Sequence, residues 1–289
     1  MTGGVARASH LVRRMASESV DLGAPGSWGA DVRQMLAEQA SFWPLTRSLV
    51  QRDLRLRYRN AVLGFGWAVG MPLLHTLIFW MIFTRVVPFE TDVPYPVYAY
   101  SGLLAWNLLA SSLRFSVTSL SANPNLVTRV YFPREVLPFS AVIVACVDFA
   151  VASLVLAGMM VIYGVTPGWT LALVPLILAV QMSLTAGLAL LVAMTNLFFA
   201  DTKYILELLL TVGMFATSVV IPVDRAAGPL GSVLRLNPMT QILNAYRLVL
   251  RGELPDLVAL GAAAAVSLTV LMVCWLAFHR AEFRFAEEA

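Results

Sequence analysis

Four side chains stand inside or at the edges of long apolar runs where they could do chemistry at membrane depth: His75, Arg114, Asp148 and Glu207. A charge at such depth costs roughly 2.5–3.5 kcal/mol or more unless it is paired, watered or used. Arg114 lies near the end of its run and can snorkel, Glu207 lies one turn inside, and Asp148, about a dozen residues in, most needs a partner. A proton-coupled carrier could be built on Asp148 and Glu207, but it supplies no role for the structured segment 123–135. His75 has no second histidine in any run, so a hydrogen-bonded polar residue between helices accounts for it better than a relay or ligand. An embedded transferase or protease needs clustered acids, a nucleophile with its base, or a metal cluster. The serines in the runs lack a base, and Cys146 and Cys274 have no zinc spacing. The chain is therefore read as no enzyme, with no metal and no cofactor of its own.

The elements that position these residues follow from composition. The 289 residues are 59% hydrophobic and 13% charged, with mean hydropathy +0.76, whereas a soluble domain carries roughly a quarter charged residues. So few charges cannot clothe this core in water, and they cluster between uncharged runs at 60–84, 93–113, 149–200, 208–223 and 257–279. As one helix, the 52 residues from Phe149 to Ala200 would measure about 78 Å against a hydrocarbon layer of about 30 Å. They must turn, at Tyr163-Gly164-Val165-Thr166-Pro167-Gly168. The reading is an all-α membrane protein of six spans: Ala61 to Thr84, Val97 to Thr118, Val136 to Ile162, Trp169 to Phe199, Tyr204 to Ile221 and Leu257 to Phe278. Residues 1–43 form a polar amino-terminal tail with no run long enough for a signal peptide. Residues 44–60 form an interfacial helix, 61–279 the six-span domain and 280–289 a short tail. The tail, the second and fourth loops and the carboxyl end hold 14 Lys and Arg against 5 in the other loops. Both termini are then expected in the cytoplasm of a multi-pass plasma-membrane protein. Nucleic acid is not an expected partner; membrane lipids are.

Three further segments are neither spans nor plain turns. From Pro44, Leu45, Leu49 and Leu56 fall on one side, with Arg47, Gln51, Arg55 and Arg59 elsewhere. Each Arg near an anionic leaflet contributes about 1 kcal/mol, so Arg55, Arg57, Tyr58 and Arg59 read as anchors. Contact with a phosphate of a lipid-linked substrate is the sharper alternative. Between spans two and three, Asn123 can cap a helix begun by Pro124 and stopped by Pro133. This stiff element would expose aromatic and charged groups to a docking partner, or is an ordinary capped loop. On the outer side Asn237, Pro238 and Gly252 bound a second helix, with Met239, Ile242, Leu243, Tyr246, Val249 and Leu250 on one face and Arg247 and Arg251 complementing its dipole. His75, Phe79 and Phe83 form one stripe on the first span, with Trp67 and Trp80 elsewhere. Such aromatics can stack on sugar rings along a conduit, or serve packing and interfacial belts; the same choice applies to Trp106 and Phe215.

The sequence resembles a known family at these segments. Leu56-Arg57-Tyr58-Arg59-Asn60-Ala61-Val62-Leu63-Gly64 leading into Trp67 and Met71-Pro72, then Val130-Tyr131-Phe132-Pro133-Arg134-Glu135-Val136-Leu137-Pro138, then Asp201, then Leu236-Asn237-Pro238-Met239, are similar to ABC-2 type permeases that export O-antigen, teichoic acid and related glycans. The resemblance spans about residues 44 to 279. It implies a homodimer working with two copies of a separate cytoplasmic ATPase, to export a polysaccharide built on a polyprenyl pyrophosphate carrier. It also implies that Asn123, Arg129, Tyr131, Phe132, Pro133, Arg134 and Glu135 belong to a gate and ATPase-coupling element. ATP and Mg would be bound by the partner: the one lysine, Lys203, follows Thr202 and cannot complete a phosphate-binding loop. The Arg-rich composition agrees with an actinobacterial-type source, where a lipid-linked cell-wall galactan is the expected cargo. An ABC-2 permease for a lipid or small hydrophobic compound is the nearest alternative. Substitution of Arg134 and Glu135 should disturb export or assembly.

Overall fold

The long apolar runs become helices whose ends are set by glycine, proline and capping side chains. The structure is a computed structural model and describes residues 39, 41–58, 66–85, 93–129, 132–219, 234 and 236–282. In chain order the helices are α1 (Trp43–Tyr58), α2 (Gly66–Arg85), α3 (Tyr95–Val117), α4 (Pro124–Arg129), α5 (Val136–Ile162), a 3-10 turn at Trp169–Leu173, α6 (Val174–Phe198), α7 (Thr202–Phe215), α8 (Pro238–Leu250) and α9 (Leu257–Ala281). The described residues contain no strand, so the all-α reading holds among them. Residues 1–38 of the expected tail lie outside the described residues.

Among the described residues, three stretches are long and apolar enough to cross a membrane: Val136–Ile162, Trp169–Phe198 and Leu257–Ala281. These are the expected third, fourth and sixth spans. α2 and α3 run 20 and 23 residues, while α7 is helical for only 14, about 21 Å of rise. It stops at Phe215 rather than continuing to the expected Ile221.

The expected turn after α5 has a definite chemistry. Gly164 takes φ +70°, its N–H donates to the Val161 carbonyl at 3.2 Å, and the Val165 N–H donates to the Met160 carbonyl at 2.9 Å. This pair of bonds is the Schellman closure, which needs a residue tolerant of positive φ. α8 ends the same way, with Gly252 at φ +82° and the Glu253 N–H on the Leu248 carbonyl at 2.9 Å. At the amino ends, the Asp256 carboxylate accepts from the Val258 and Ala259 N–H groups. The Asn237 side chain accepts from the Met239 N–H at 3.0 Å, as the sequence predicts.

The centre of the bundle is closely packed and mostly apolar. Leu103, Ile177, Leu190, Ile242 and Leu243 are among the fully buried side chains. Hydrophobic attraction between helices is absent where lipid is the solvent, so close approach and polar bonds must hold them. Tyr100 donates its hydroxyl to the Ala152 carbonyl (3.0 Å), joining α3 to α5. Gln181 donates to the Ala105 carbonyl (2.7 Å), joining α6 to α3. α6 and α9 make the most extensive helix pair. At Gly187 an added Cβ would stand 2.8 Å from both the Leu271 Cα and N.

Elsewhere the chain leaves apolar flanks open. On α2, Leu74, Leu77, Ile78 and Met81 are exposed; on α7, Ile205, Leu208, Leu209, Val212 and Phe215 are exposed.

Gly187→Val should force α6 and α9 apart, at a cost of about 1–3 kcal/mol or more because the obstructing atoms are backbone. Gly261→Ala, in the same α9 but with nothing within 4 Å of the new methyl, should be neutral or slightly stabilising. Thermal unfolding of the two variants in detergent checks the contrast.

Candidate functional site

The face that α1 turns to the bundle is offset from its leucine stripe. Leu49 and Thr46 are buried, whereas Leu56 is 68% exposed. At 100° per residue, the inward face is centred near Thr46, Asp53 and Arg57 rather than on Leu45, Leu49 and Leu56. Two polar contacts turn it. Arg52 donates Nη1 to the Asn123 side-chain oxygen at 3.2 Å, and Arg57 Nη1 lies 2.5 Å from Asp148 Oδ2. The Arg57 guanidinium also stacks 4.2 Å from the centre of the Phe115 ring. Asp148 thus has the partner that its depth requires, and Arg57 is committed to α5 and α3. Arg55 is exposed; the Tyr58 side chain and all of Arg59 lie outside the described residues.

Asn123, where the sequence begins α4, is bonded on both sides: its side-chain oxygen accepts from Arg52 of α1, and its amide donates to the Ser119 carbonyl at 2.9 Å.

The segment after α4 turns inward. Phe132 is 5% and Glu135 1% exposed, and Pro133 is buried. Arg134 donates Nε and Nη2 to the Val127 carbonyl at 3.2 and 3.0 Å, satisfying one of the carbonyls that a helix end leaves over. Its Nη1 reaches the Glu282 carbonyl at 2.5 Å, and its backbone N–H donates to Glu282 Oε1 at 2.9 Å. Glu135 Oε1 accepts from the Trp275 indole N–H at 3.3 Å and lies 3.7 Å from His279 Nδ1. Sequence spacing held no signal for this junction, because Arg134 and Glu282 are 148 residues apart. The side chain of Arg129, and Val130 and Tyr131 entirely, lie outside the described residues.

Burial, and then the neighbouring Glu135 charge, push the Glu282 carboxyl up to about 7, with Arg134 and His279 pulling the other way. Glu135, His279 and Glu282 are the described group whose ligand atoms could gather on a metal, all lying within 4.8 Å of one another.

At the opposite end Arg247 is buried, not merely a dipole complement. Its Nη1 donates to the Ser218 carbonyl at 2.6 Å and its Nη2 to the Val219 carbonyl at 2.8 Å, while the guanidinium lies 3.6 Å above the Tyr98 ring. It joins α8 to the turn after α7 and to α3. Gly102 leaves the space: a Cβ there would stand 2.6 Å from Arg247 Nη2. Arg251 pairs with Glu253 at 2.6 Å.

The aromatic candidates separate. Trp106 is 6% exposed and packs against Gly213, where a Cβ would stand 2.9 Å from the indole; within this chain it is a packing residue. Phe215 is 63% exposed, and His75 is exposed on α2. Trp67, Phe79 and Phe83 lie on α2, and their side chains are outside the described ones. Near the exposed flank, Arg114 Nε donates to both Glu207 oxygens at 2.9 and 3.1 Å, with the two side chains 43% and 54% exposed. An open ion pair beside an otherwise apolar surface suits a face that meets water or another polypeptide, not lipid.

Residues 44–250 match the family described as ABC-2 type transporter. The chain is 33% identical over 260 residues to the O-antigen export system permease protein RfbA of Myxococcus xanthus, covering 88% of this chain and 98% of that one. It is 29% identical to the O-antigen export system permease protein RfbA of Klebsiella pneumoniae, over 83% of this chain and 92% of that one. To the polysialic acid transport protein KpsM of Escherichia coli it is 26% identical, over 81% of this chain and 91% of that one.

Arg57→Ala should destabilise the protein by about 3–5 kcal/mol, since it strands a buried carboxylate. Arg57→Ala with Asp148→Asn should recover much of that loss, as thermal unfolding of the single and double variants will show. The Glu282 carboxyl, raised from an ordinary value of 4.5 to about 7, stabilises the junction in its protonated form. That contribution is whole below the unfolded value and is lost as pH rises through the folded one. The unfolding temperature should therefore fall between about pH 5 and 8 in the native protein and fall less in Glu282→Gln.

Proposed function

Because the chain belongs to the ABC-2 type transporter family, we propose that it is the permease subunit of an ATP-driven exporter of a polyprenyl-pyrophosphate-linked polysaccharide. The observation that carries the reading is similarity over nearly the full length of permeases named for O-antigen export, supported by one named for polysialic acid transport. In this reading α2, α3, α5, α6, α7 and α9 are the six spans of a plasma-membrane protein with both termini in the cytoplasm. Two copies meet through the exposed flanks of α2 and α7, where Phe215, His75 and the Arg114–Glu207 pair face the passage between protomers. A polar ion pair and aromatic rings on one wall suit a cargo of sugar rings, which present hydroxyl groups at their edges and C–H faces for stacking. Two copies of a separate ATPase bind ATP and Mg and act on the segment 123–135. A cell-wall galactan is the first cargo to test.

The tagged permease should be purified from its native membrane in mild detergent, and its companions identified by mass spectrometry. The expected result is a stoichiometric ATPase together with a lipid-linked sugar polymer. A chain that carries neither, and purifies alone as a monomer, would overturn the reading. An ATPase accompanied by a simple lipid would favour the lipid-export alternative, which needs no long conduit.

A further inference from the structure

We infer that the carboxyl end of α9 is the mount on which the 132–135 segment is fixed, so that a push on this segment moves α9 and, through it, α6. Arg134 and Glu135 are then positioning residues, acting through Glu282, His279 and Trp275. The inference rests on the exporter reading for its purpose, but not for its geometry.

The fixing is made at several independent points. Arg134 grips the Val127 carbonyl with one edge of its guanidinium and the Glu282 carbonyl with Nη1, so one side chain ties the last turn of α4 to the end of α9. Its backbone N–H binds the Glu282 side chain. One residue later Glu135 holds the Trp275 indole, and one turn into α5 the Phe139 ring meets Trp275 edge-on, 5.3 Å between centres at 82°. Contacts from backbone, side chain and ring leave no single torsion about which the segment could swing free of α9. Among the described residues, no hydrogen bond joins 132–135 to α2 or α7.

What α9 receives it must pass on. Leu271 lies 11 residues before Glu282, about 16 Å along the helix, and its backbone touches the space that a Cβ on Gly187 would fill. With no side chain between the backbones there is no soft layer to absorb a slide, because close-packed surfaces transmit displacement. Beside α5, into which the segment runs, the contacts put α9 and α6 first in line to move.

A metal ion is the other occupant that Glu135, His279 and Glu282 could serve. The bonds present favour the clamp: Glu282 Oε1 already accepts the Arg134 N–H, Glu135 Oε1 the indole N–H, and the Arg134 guanidinium, 3.8 Å from Glu282 Oε1, supplies positive charge. Three groups face Glu282: Arg134 and Glu135 across the junction, and His279 one turn back on α9.

The test compares Glu282→Ala, which removes the acceptor, with Glu282→Gln, which keeps it. Hydrogen exchange is followed on the purified full-length permease over peptides covering 132–137 and 275–282. In Glu282→Ala both peptides should exchange faster together, on the order of tenfold, and Glu282→Gln should restore protection of both. Acceleration of one peptide alone, or of neither, overturns the inference. Slowing of both peptides by added Zn2+, reversed by a chelator, also overturns it and makes the cluster a metal site. In vesicles holding the permease with its ATPase, Glu282→Ala should lower the cargo moved per ATP hydrolysed and Glu282→Gln should restore it; an unchanged ratio in Glu282→Ala overturns the coupling role. If the native complex exports no glycan while both peptides respond as expected, the failure belongs to the cargo reading, not to the mount.

Discussion

An ionised side chain cannot be left alone in hydrocarbon, and most of what distinguishes this protein from a generic bundle of apolar helices follows from how it meets that constraint. Arg57 is brought up by α1 to meet Asp148. Arg247 is carried inside by α8 to meet two backbone carbonyls and a tyrosine face. Arg134 and Glu135 meet their partners at the end of the last helix. In each case the charge joins elements that are far apart in the chain. Leucine packed against lipid tails could not do this, because a leucine is as well solvated by lipid as by another leucine. Polar contacts therefore specify which helix sits beside which, and small residues such as Gly187 and Gly102 let the backbones approach closely enough for those contacts to form.

The two ends of the bundle use this principle differently. At the Arg247 end, the guanidinium supplies donors to the carbonyls left over where α7 stops, and two glycines at positive φ close the turns after α5 and α8. These bonds run to backbone, and the end is a set of fixed corners. At the Arg134 end, the partners are mostly side chains, with carboxyl, imidazole and indole groups. One end is built on backbone carbonyls; the other carries the Glu282 carboxyl, which burial and the Glu135 charge hold near neutrality.

Local chemistry was legible in the sequence and long-range pairing was not. The turn at Tyr163–Gly168, the Asn237 cap and the glycine after α8 are decided by residues within a few positions of one another, and the spacing alone predicts them. The span pattern is likewise a property of local composition, which is why Val136–Ile162, Trp169–Phe198 and Leu257–Ala281 stand out by length and hydropathy. The face that α1 turns to the bundle is not legible in its leucine stripe, because an aspartate on another helix helps to set it. The residues offered for docking, Phe132 to Glu135, are mostly buried for the same reason: nothing near them in the chain announces Glu282 or Trp275. Trp106 gave no sign that Gly213 would receive it.

The assignment of arginines to phosphates changes in consequence. In the sequence, Arg55, Arg57, Tyr58 and Arg59 form one basic cluster, and any member could serve a pyrophosphate. In the structure Arg57 already spends its charge on Asp148 and its face on Phe115. Releasing it for an anion would leave a buried carboxylate unpaired, a loss that one phosphate contact at a partly hydrated surface would not repay. Arg57 is thus part of the frame that holds α1 against α5. The cluster splits into a residue that positions the interfacial helix and neighbours such as the exposed Arg55 that remain open to solvent and headgroups. A run of like charges in a sequence records how many cations a surface could have; only the three-dimensional pairing says how many are still available.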